Sequence, residues 1–232
     1  MKLEVFLKIM RRALQGSDFV GRTYLVGGVV RDLLLGKDDF TDFDLCVEKR
    51  YGGLKLGSYL KTRLNPQSYE VFPRFGTVRM KLKDIEIDLV QTRCESYTKG
   101  RRFPRIRYCP ISEDVWRRDF TINSLYLELF SESILDPCGR GKTDLQDRLI
   151  RTTRDPVLVF SEDALRMLRA LRFVSTLDFD LEAETYAAMR SLAANVQRLS
   201  AKAQCQELNK MNFESRRLKL LLKESGIQDY LK

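Results

Sequence analysis

The sequence predicts an α+β fold, in which a domain built on a mixed β-sheet is followed by an all-helical domain. Two short runs, at 78–82 and 85–89, alternate apolar and polar residues, which is typical of strands with one buried face. From residue 156 onward apolar residues recur with helical spacing, as in SEDALRMLRALRF. We therefore predict a sheet-containing domain over residues 1–155 and a helical domain over residues 156–232.

The first hundred residues predict helices and strands in alternation: a helix at 1–15, a strand at 24–26, a helix at 29–35, a strand at 40–47, a helix at 54–64 and two or three strands at 68–92. Gly36 ends the second helix, because the residue after a helix often takes a left-handed conformation that favours glycine. Asn65-Pro66 ends the third, since proline cannot continue a helix. The sequence KDI, which begins at Lys83, predicts a hairpin between the last two strands.

The middle of the chain is more irregular. Residues 99–107 carry five cations. RRDFTINSLYLELF, at 117–130, predicts a helical start and then a strand, and 133–153 predicts a turn, a short helix and a last strand.

Composition limits the partners and the chemistry. The chain is 44% hydrophobic and 31% charged, so its 232 residues can bury a core. Its net charge of +9 favours a polyanionic partner, although a soluble protein without such a partner can have the same charge. The sequence has no histidine, which excludes catalytic triads and zinc sites that depend on it. Carboxylates, cations, backbone amides and a hard metal ion remain.

Five scattered cysteines, an odd number without a C-x-x-C pair, argue against a disulfide framework and a thiolate zinc site. No apolar run approaches the roughly 18 residues that span a bilayer. The N-terminal segment lacks the cleavage site of a signal peptide. We therefore predict a cytoplasmic protein without a membrane partner.

The predicted second strand carries two carboxylates, Asp42 and Asp44. Alternate residues of a strand face the same side, so these carboxylates project together while Phe43 and Leu45 point to the core. Two carboxylates that close repel each other, and a bound Mg²⁺ removes that cost. A lone D-x-D is more often surface decoration or a turn, so the interpretation depends on the residues around it.

Gly27-Gly28 precedes a predicted helix and offers backbone amides to a phosphate, although a lone glycine pair is more often only a tight turn. Arg31, on the first turn of that helix, could reach the same anion. Asp88, on a neighbouring predicted strand, could be a third catalytic carboxylate. Together they suggest two-metal nucleotidyl transfer, in which one metal activates a hydroxyl and the other holds a triphosphate.

The order GG-x-x-RD followed by D-x-D resembles the signature of class II nucleotidyltransferases, the tRNA CCA-adding enzymes and bacterial poly(A) polymerases. RRDFTIN, at 117–123, resembles the second motif of that family. EDALRMLRALRF, at 162–173, resembles its nucleotide-template motif. The resemblance implies a polymerase β-like nucleotidyltransferase head over 1–155. It implies that 156–232 is a helical neck that selects nucleotides and binds RNA.

The resemblance also implies the roles of individual residues. Asp42 and Asp44 are implied to bind the catalytic metal ions. Residues of three motifs are implied to contact or support the incoming nucleotide: Gly27, Gly28, Arg31 and Asp32 in the first, Arg118, Asp119 and Asn123 in the second, and Asp163, Arg166, Arg169 and Arg172 in the third.

The third motif supports nucleotide binding from its residues alone. Ser161 can serve as the N-cap of its helix, and Asp163 and Arg166, at i and i+3, share a face. A carboxylate acceptor beside a guanidinium donor can read a base edge without a nucleic-acid template. Arg169 and Arg172 continue along that side. Without the other motifs, a solvated basic helix face would be the better interpretation.

The cation cluster at 99–107 has two interpretations. It is a mobile solvated loop, the commoner outcome for such runs, or it contacts an RNA backbone with Phe103 and Tyr108 available to stack on bases. The region resembles the family's flexible loop, which is involved in switching between CTP and ATP.

Two features depart from the family pattern. LSAKAQCQELNKM, at 199–211, resembles the next motif, but Lys202-Ala203 stand where a Glu-Arg pair is usual. The chain also stops after the neck, where relatives continue into body and tail domains that grip tRNA. We expect a natural minimal form, a truncated form, or a chain that works with a second chain or as a homo-oligomer. The lack of histidine excludes an HD-type phosphohydrolase domain.

We predict a template-independent RNA nucleotidyltransferase that adds C, A or both to the 3′ end of tRNA. Its substrates are CTP and ATP, its cofactor is Mg²⁺, and it releases pyrophosphate. CCA addition is the favoured activity. The competing hypotheses are a poly(A) polymerase, an A-only or CC-only adding enzyme, a catalytically inactive RNA-binding module, and a nucleotidyltransferase for a different acceptor.

Overall fold

The computed structural model describes residues 1–96 and 105–232. Most of the predicted cation cluster, including Lys99 and Phe103, lies outside the described residues. Within the described part of the chain, no helix combines the length and the apolar character needed to cross a membrane.

The chain divides into two compact units. The first contains 1–117 and 123–139, and the second contains 118–122 and 140–232. The short segment 118–122 therefore belongs to the second unit, although the chain returns to the first unit directly after it. The predicted boundary at residue 155 separates family domains and stays a prediction.

The helices and strands of the first unit are, in chain order, α1 (Leu3–Leu14), β1 (Thr23–Val26), α2 (Gly28–Leu34), β2 (Asp42–Val47), α3 (Gly52–Leu64), β3 (Ser68–Phe72), β4 (Thr77–Leu82), β5 (Ile85–Gln91), β6 (Arg93–Ser96), β7 (Arg105–Tyr108), α4 (Ile111–Asp114), β8 (Tyr126–Glu128) and β9 (Ile134–Leu135). The helical start predicted after residue 117 is two short 3₁₀ helices, at Val115–Arg117 and Thr121–Asn123. Further along, strand β8 follows as predicted.

Seven of these strands form one mixed sheet in the order β3-β4-β5-β2-β1-β8-β9. Strands β2 and β5 run parallel, and the other neighbours run antiparallel. The predicted α+β fold with a mixed sheet is therefore confirmed. The predicted hairpin joins β4 to β5 through a turn in which Lys83 has a φ of 56°.

Helices α1 and α3 pack on one face of this sheet. Phe6 of α1 stacks on Phe43 of β2, with 3.7 Å between the ring centroids. Gly57 allows α3 to lie close to β4, because an added Cβ would be 2.7 Å from the Cγ2 atom of Val78. The helices thus bury one face and leave the other to the polar residues of the strands.

Cys94 of β6 forms a disulfide with Cys109, which follows β7, and the two Cα atoms are 5.8 Å apart. The expectation that the scattered cysteines form no disulfide is wrong for this pair. The sequence does not show that β6 and β7 pair, and this pairing is what brings the thiols together. Since a disulfide weakens the argument for a reducing compartment, the cytoplasmic location stays a prediction.

The elements of the second unit are α5 (Gly141–Gln146), β10 (Leu149–Ile150), α6 (Pro156–Glu162), α7 (Leu165–Leu177), β11 (Asp180–Leu181), α8 (Ala183–Leu192), α9 (Ala201–Leu208) and α10 (Arg216–Glu224). Strands β10 and β11 pair in parallel over two residues each. The part of the chain after residue 156 is thus helical except for β11, which is too short to leave a period-two pattern in the sequence.

The third motif begins differently from the prediction. Asp155 caps α6, because its side chain accepts hydrogen bonds from the first amides of that helix. Ser161 therefore lies inside α6, and its predicted role as an N-cap is wrong. Helix α7 starts at Leu165, whose amide donates to Asp163 Oδ1 over 3.0 Å. Asp163 precedes the helix, so it does not share a helical face with Arg166 as predicted.

Candidate active site

The paired carboxylates lie side by side on the polar face of the sheet. Asp42 and Asp44 are exposed residues of β2, whereas Phe43 and Leu45 are buried on the opposite face. In the parallel pairing of β2 with β5, Asp44 lies beside Asp88. The structure thus brings together the three carboxylates that the sequence singled out.

The glycine turn passes next to these carboxylates. Gly27 has a φ of 73°, in the left-handed region that favours glycine. A Cβ atom at this position would lie 3.5 Å from Asp44 Oδ2. The backbone between β1 and α2 is therefore within van der Waals distance of the Asp44 carboxylate.

A cavity of about 410 Å³ opens beside the same turn. Its lining includes the residues of the first motif together with a lysine, namely Gly28, Val29, Asp32, Lys37, Asp42 and Asp44. The cavity therefore combines two exposed carboxylates with a cation and the start of α2, which is a suitable arrangement for a metal-bound polyphosphate.

Arg31 is buried and held by polar side chains of the first unit. Its Nη1 atom donates to Asn123 Oδ1, and its Nε atom donates to Asp32 Oδ1, both over 2.8 Å. Lys37 Nζ lies 3.0 Å from the other oxygen of Asp32. These contacts fix the orientation of the first turns of α2, because a buried guanidinium needs such partners. They support the bracing role that the resemblance implies for Asp32.

Asp88 is bound by a cation from the neighbouring strand. The Nε and Nη2 atoms of Arg79 donate to its two carboxylate oxygens over 2.8 and 2.7 Å. This bidentate pair raises the pKa of Arg79 above its usual value. Sequence reasoning did not identify Arg79, although the alternation of β4 places it on the polar face.

In the second unit, Asp119 forms a buried ion pair with Arg169. Arg169 Nη2 lies 2.6 Å from Asp119 Oδ2, and Nε donates to the same oxygen over 2.8 Å. Burial alone would raise the pKa of Asp119, but the charge and hydrogen bonds of Arg169 hold it below its usual value. Two residues from the second and third motifs are thus in direct contact.

The other arginines of the third motif are also engaged. Arg166 is buried, and its Nη1 donates to the carbonyl oxygen of Val159 over 3.2 Å and lies 3.4 Å from Glu162 Oε2. Arg172 Nε donates to Glu207 Oε2 over 2.7 Å. Burial lowers the pKa of Arg172, and the carboxylate of Glu207 partly opposes that effect.

A comparison with protein families matches residues 23–151 to the poly A polymerase head domain. The chain belongs to this family. The matched segment contains the paired carboxylates, the glycine turn, Arg79 and Asp88, so the polar face of the sheet lies within the head domain.

Curated relatives extend the similarity beyond the head domain. The A-adding tRNA nucleotidyltransferase of Aquifex aeolicus is 38% identical over 167 residues, which are 71% of this chain and 19% of that protein. The CCA-adding enzyme of Bacillus pumilus is 34% identical over 206 residues, which are 87% of this chain and 49% of that protein. The chain thus spans about half the length, or less, of these relatives.

Solved structures show the same fold. The Bacillus stearothermophilus CCA-adding enzyme in complex with CTP has a TM-score of 0.78 and 31% identity, covering 100% of this chain and 54% of that one. A tRNA nucleotidyltransferase complexed with a primer tRNA and an incoming ATP analog has a TM-score of 0.73 and 28% identity, covering 90% and 55%.

The residues predicted for nucleotide binding fall into both compact units. Those of the first motif and Asn123 lie in the head-domain sheet and α2. Arg118 and Asp119 lie in the second unit, where the Arg118 carbonyl oxygen accepts a hydrogen bond from Thr153. Asp163 and the three arginines after it also lie there. Their nucleotide-binding roles stay predictions.

Proposed function

We propose that the protein is a template-independent RNA nucleotidyltransferase that adds C, A or both to the 3′ end of tRNA. It would transfer a nucleoside monophosphate from CTP or ATP and release pyrophosphate. The observation that carries the proposal is the exposed Asp42–Asp44 pair directly beside the Gly27 turn and the cavity. Family membership and the names of the relatives point to the same reaction class.

The donor set at this site suits Mg²⁺. Asp42 and Asp44 present carboxylate oxygens on one exposed face, and Mg²⁺ prefers one or two carboxylates together with substrate phosphates. These two residues would hold the ion, which when bound supplies positive charge at the reacting phosphate. The cavity beside Gly28 then has room for the triphosphate.

The remaining residues of the first unit position this site. Arg31, fixed by Asp32 and Asn123, sets the geometry of the α2 start that lines the cavity. Lys37 supplies a cation at the cavity wall, where it can contact a phosphate of the incoming nucleotide. Asp88 is the predicted third catalytic carboxylate, beside Asp44.

Nucleotide choice is assigned to the third motif by resemblance. Asp163 and Arg166 would read the base edge, and Arg169 and Arg172 would contact phosphates. Arg169 and Arg172 already pair with Asp119 and Glu207, so part of their role is to hold the second unit together.

An A-only activity is the second candidate, favoured by the 38% identical relative named A-adding tRNA nucleotidyltransferase. Poly(A) addition, CC-only addition and a silent RNA-binding module compete with it less directly, and the test below separates all of them. Since the chain spans about half of its CCA-adding relatives, a second chain could supply body and tail functions.

The test uses three tRNA transcripts that end before the two terminal cytidines, after both cytidines, or after the complete CCA. Each is incubated with Mg²⁺ and labelled CTP, labelled ATP or both, and the products are separated on a sequencing gel. CCA addition extends the first transcript by three nucleotides only when both triphosphates are present, and it leaves the complete transcript unchanged.

The control is Asp42→Asn, which keeps the shape of the side chain but loses its charge. We expect it to remove nucleotide incorporation while the protein remains folded. Use of ATP alone on the two unfinished transcripts would favour A-only or poly(A) addition. Equal incorporation by Asp42→Asn and the natural sequence would contradict the metal assignment.

A further inference from the structure

Strand β4 presents two cations on the polar face of the sheet, Arg79 and Lys81, which we name the β4 cation pair. Both residues are exposed, and the residues that alternate with them, Val78 and Met80, are buried on the other face. The first unit does not need these cations for its core. The question is which anion they serve.

The β4 cation pair is in register with the candidate catalytic carboxylates. Two rows of neighbouring residues cross four strands of this face: Glu70, Arg79, Asp88 and Asp44 in the first, and Ser68, Lys81, Glu86 and Asp42 in the second. Neighbours in such a row project to the same side of a sheet. Arg79 and Lys81 are therefore each one strand beyond β5, on the same face as the paired aspartates.

The cavity lies on the other flank of those aspartates. Its lining comes from the N-terminal residue, from α2 and its following loop, and from β2, and includes no residue of β3, β4 or β5. Phosphoryl transfer places the attacking and leaving oxygens roughly in line, on opposite sides of the phosphorus. If the triphosphate occupies the cavity, the attacking strand has to approach from the side of β5 and β4.

A nucleic-acid strand that approaches there meets mainly negative charge. Asp42, Asp44, Glu86 and Asp88 all lie on this face, and a phosphodiester backbone would be repelled by them. The β4 cation pair supplies the opposite charge next to these carboxylates. Its members are two residues apart along a strand, about 7 Å, which is comparable to the distance between successive phosphates of an extended RNA strand.

The Arg79–Asp88 pair also orients the arginine. Asp88 takes the Nε and Nη2 atoms, and Nη1 forms no hydrogen bond with any residue of the described ranges. The Arg79 side chain remains 49% exposed. A guanidinium fixed on one edge and solvated on the other is suited to bind a phosphate with its remaining edge.

We infer that the β4 cation pair binds two successive backbone phosphates of the acceptor RNA near its 3′ end, and that Asp88 positions Arg79 for this contact. This inference rests on the proposed function, because it assumes that the acceptor is a nucleic-acid strand. It assigns an acceptor-binding role to residues that lie outside the cavity.

The test compares two double variants with the same change in charge. Arg79→Gln with Lys81→Gln removes the β4 cation pair. Lys61→Gln with Arg63→Gln is the matched control, because these exposed cations are also two residues apart but lie on α3, which covers the opposite face. The probe is a fluorescent hairpin RNA with the acceptor stem of tRNA and an unpaired 3′ end, and anisotropy is measured in EDTA over a range of salt concentrations.

We expect the β4 double variant to bind this RNA roughly tenfold more weakly at moderate salt, since two phosphate contacts are lost. The slope of log K against log salt should fall by about 1.5, and the control variant should change both quantities much less. In the incorporation assay the KM for RNA should rise while the KM for CTP stays within about twofold. Arg79→Lys, tested alone, should keep the salt slope.

Equal weakening in both double variants would overturn the inference, because the effect would then reflect net charge only. Unchanged RNA binding by the β4 double variant would also overturn it, and the proposed function would still stand if nucleotide incorporation persists. If the natural sequence incorporates no nucleotide into any transcript, the proposed function fails instead. The anisotropy result for the two double variants remains a separate measurement.

Discussion

Replacing Arg169 with methionine should destabilise the second unit, because the Asp119 carboxylate would stay buried without its cation. The side chain of Asp119 is only 8% exposed and receives two hydrogen bonds from Arg169. Breaking a buried pair from one side costs roughly 3–5 kcal/mol. Asp119 keeps the hydrogen bond from the Phe120 amide, and the Arg169 side chain is 34% exposed, so we expect the lower end, about 3 kcal/mol.

The loss should depend on pH in a defined direction. The folded pKa of Asp119 is below its usual value, so this carboxylate contributes stability above its unfolded pKa near 4 and loses that contribution as pH falls. The difference between the natural sequence and Arg169→Met should therefore be full at pH 7. It should shrink below about pH 4, where the carboxylate becomes protonated in the variant and in the unfolded chain.

The assay is urea unfolding followed by far-UV circular dichroism at pH 7 and pH 4, with hydrogen exchange of the α7 amides to report on the second unit. Arg217→Met is the control, because Arg217 pairs with Asp178 and Asp180 on the surface and should contribute less than about 1 kcal/mol. A loss below about 1 kcal/mol for Arg169→Met at pH 7, or a loss that grows at low pH, would refute the reasoning.

The remaining predictions concern the first unit. Asp42→Asn should reduce nucleotide incorporation on the order of a hundred- to a thousandfold, as for other electrostatic groups of a transition state, with a melting temperature at or above that of the natural sequence because the repulsion from Asp44 is removed. Gly57→Ala should lower the unfolding free energy by about 1–2 kcal/mol, because the Cβ overlap with β4 outweighs the gain in helix propensity. Reducing the Cys94–Cys109 disulfide, which closes a separation of 15 residues, should lower it by about 3 kcal/mol.

Each of these measurements has its own control. Incorporation by Asp42→Asn is compared with its circular dichroism spectrum, and a lost fold would make the activity result irrelevant to the metal. Ser58→Ala, an exposed neighbour on α3, should change stability by less than about 0.5 kcal/mol, and an equal effect at both positions would contradict the packing argument for Gly57. For the disulfide, unfolding with and without reductant should be indistinguishable in Cys94→Ser.

The sequence predicted the parts of the fold that local patterns determine. The alternation around Asp42 and Asp44 indicated the strand, its two faces and the position of the carboxylates. Gly57 shows the limit of local patterns, because only the distance to β4 reveals why a side chain is excluded there. The α6 start at Asp155 was missed since the motif resemblance favoured Ser161, which lies inside that helix.

Contacts between distant strands were not predictable from one sequence. Arg79 pairs with Asp88 because β4 and β5 adopt a particular register, and a shift by one residue would turn Arg79 to the other face. The same limit applies to Cys94 and Cys109. The site residues that the sequence did identify are those whose motifs are continuous in the chain, whereas the cations that support them come from neighbouring strands.

The course of the chain through residues 118–122 has a practical consequence. Because this segment is built into the second unit before the chain completes the first, no single cleavage separates two intact folding pieces. A fragment ending at Gly139 would carry Asp119 away from Arg169 and present an orphaned acid to water, and the complementary fragment would keep a buried arginine with no counter-ion. Isolating either half requires a rearranged gene that reconnects these five residues to the helices they serve.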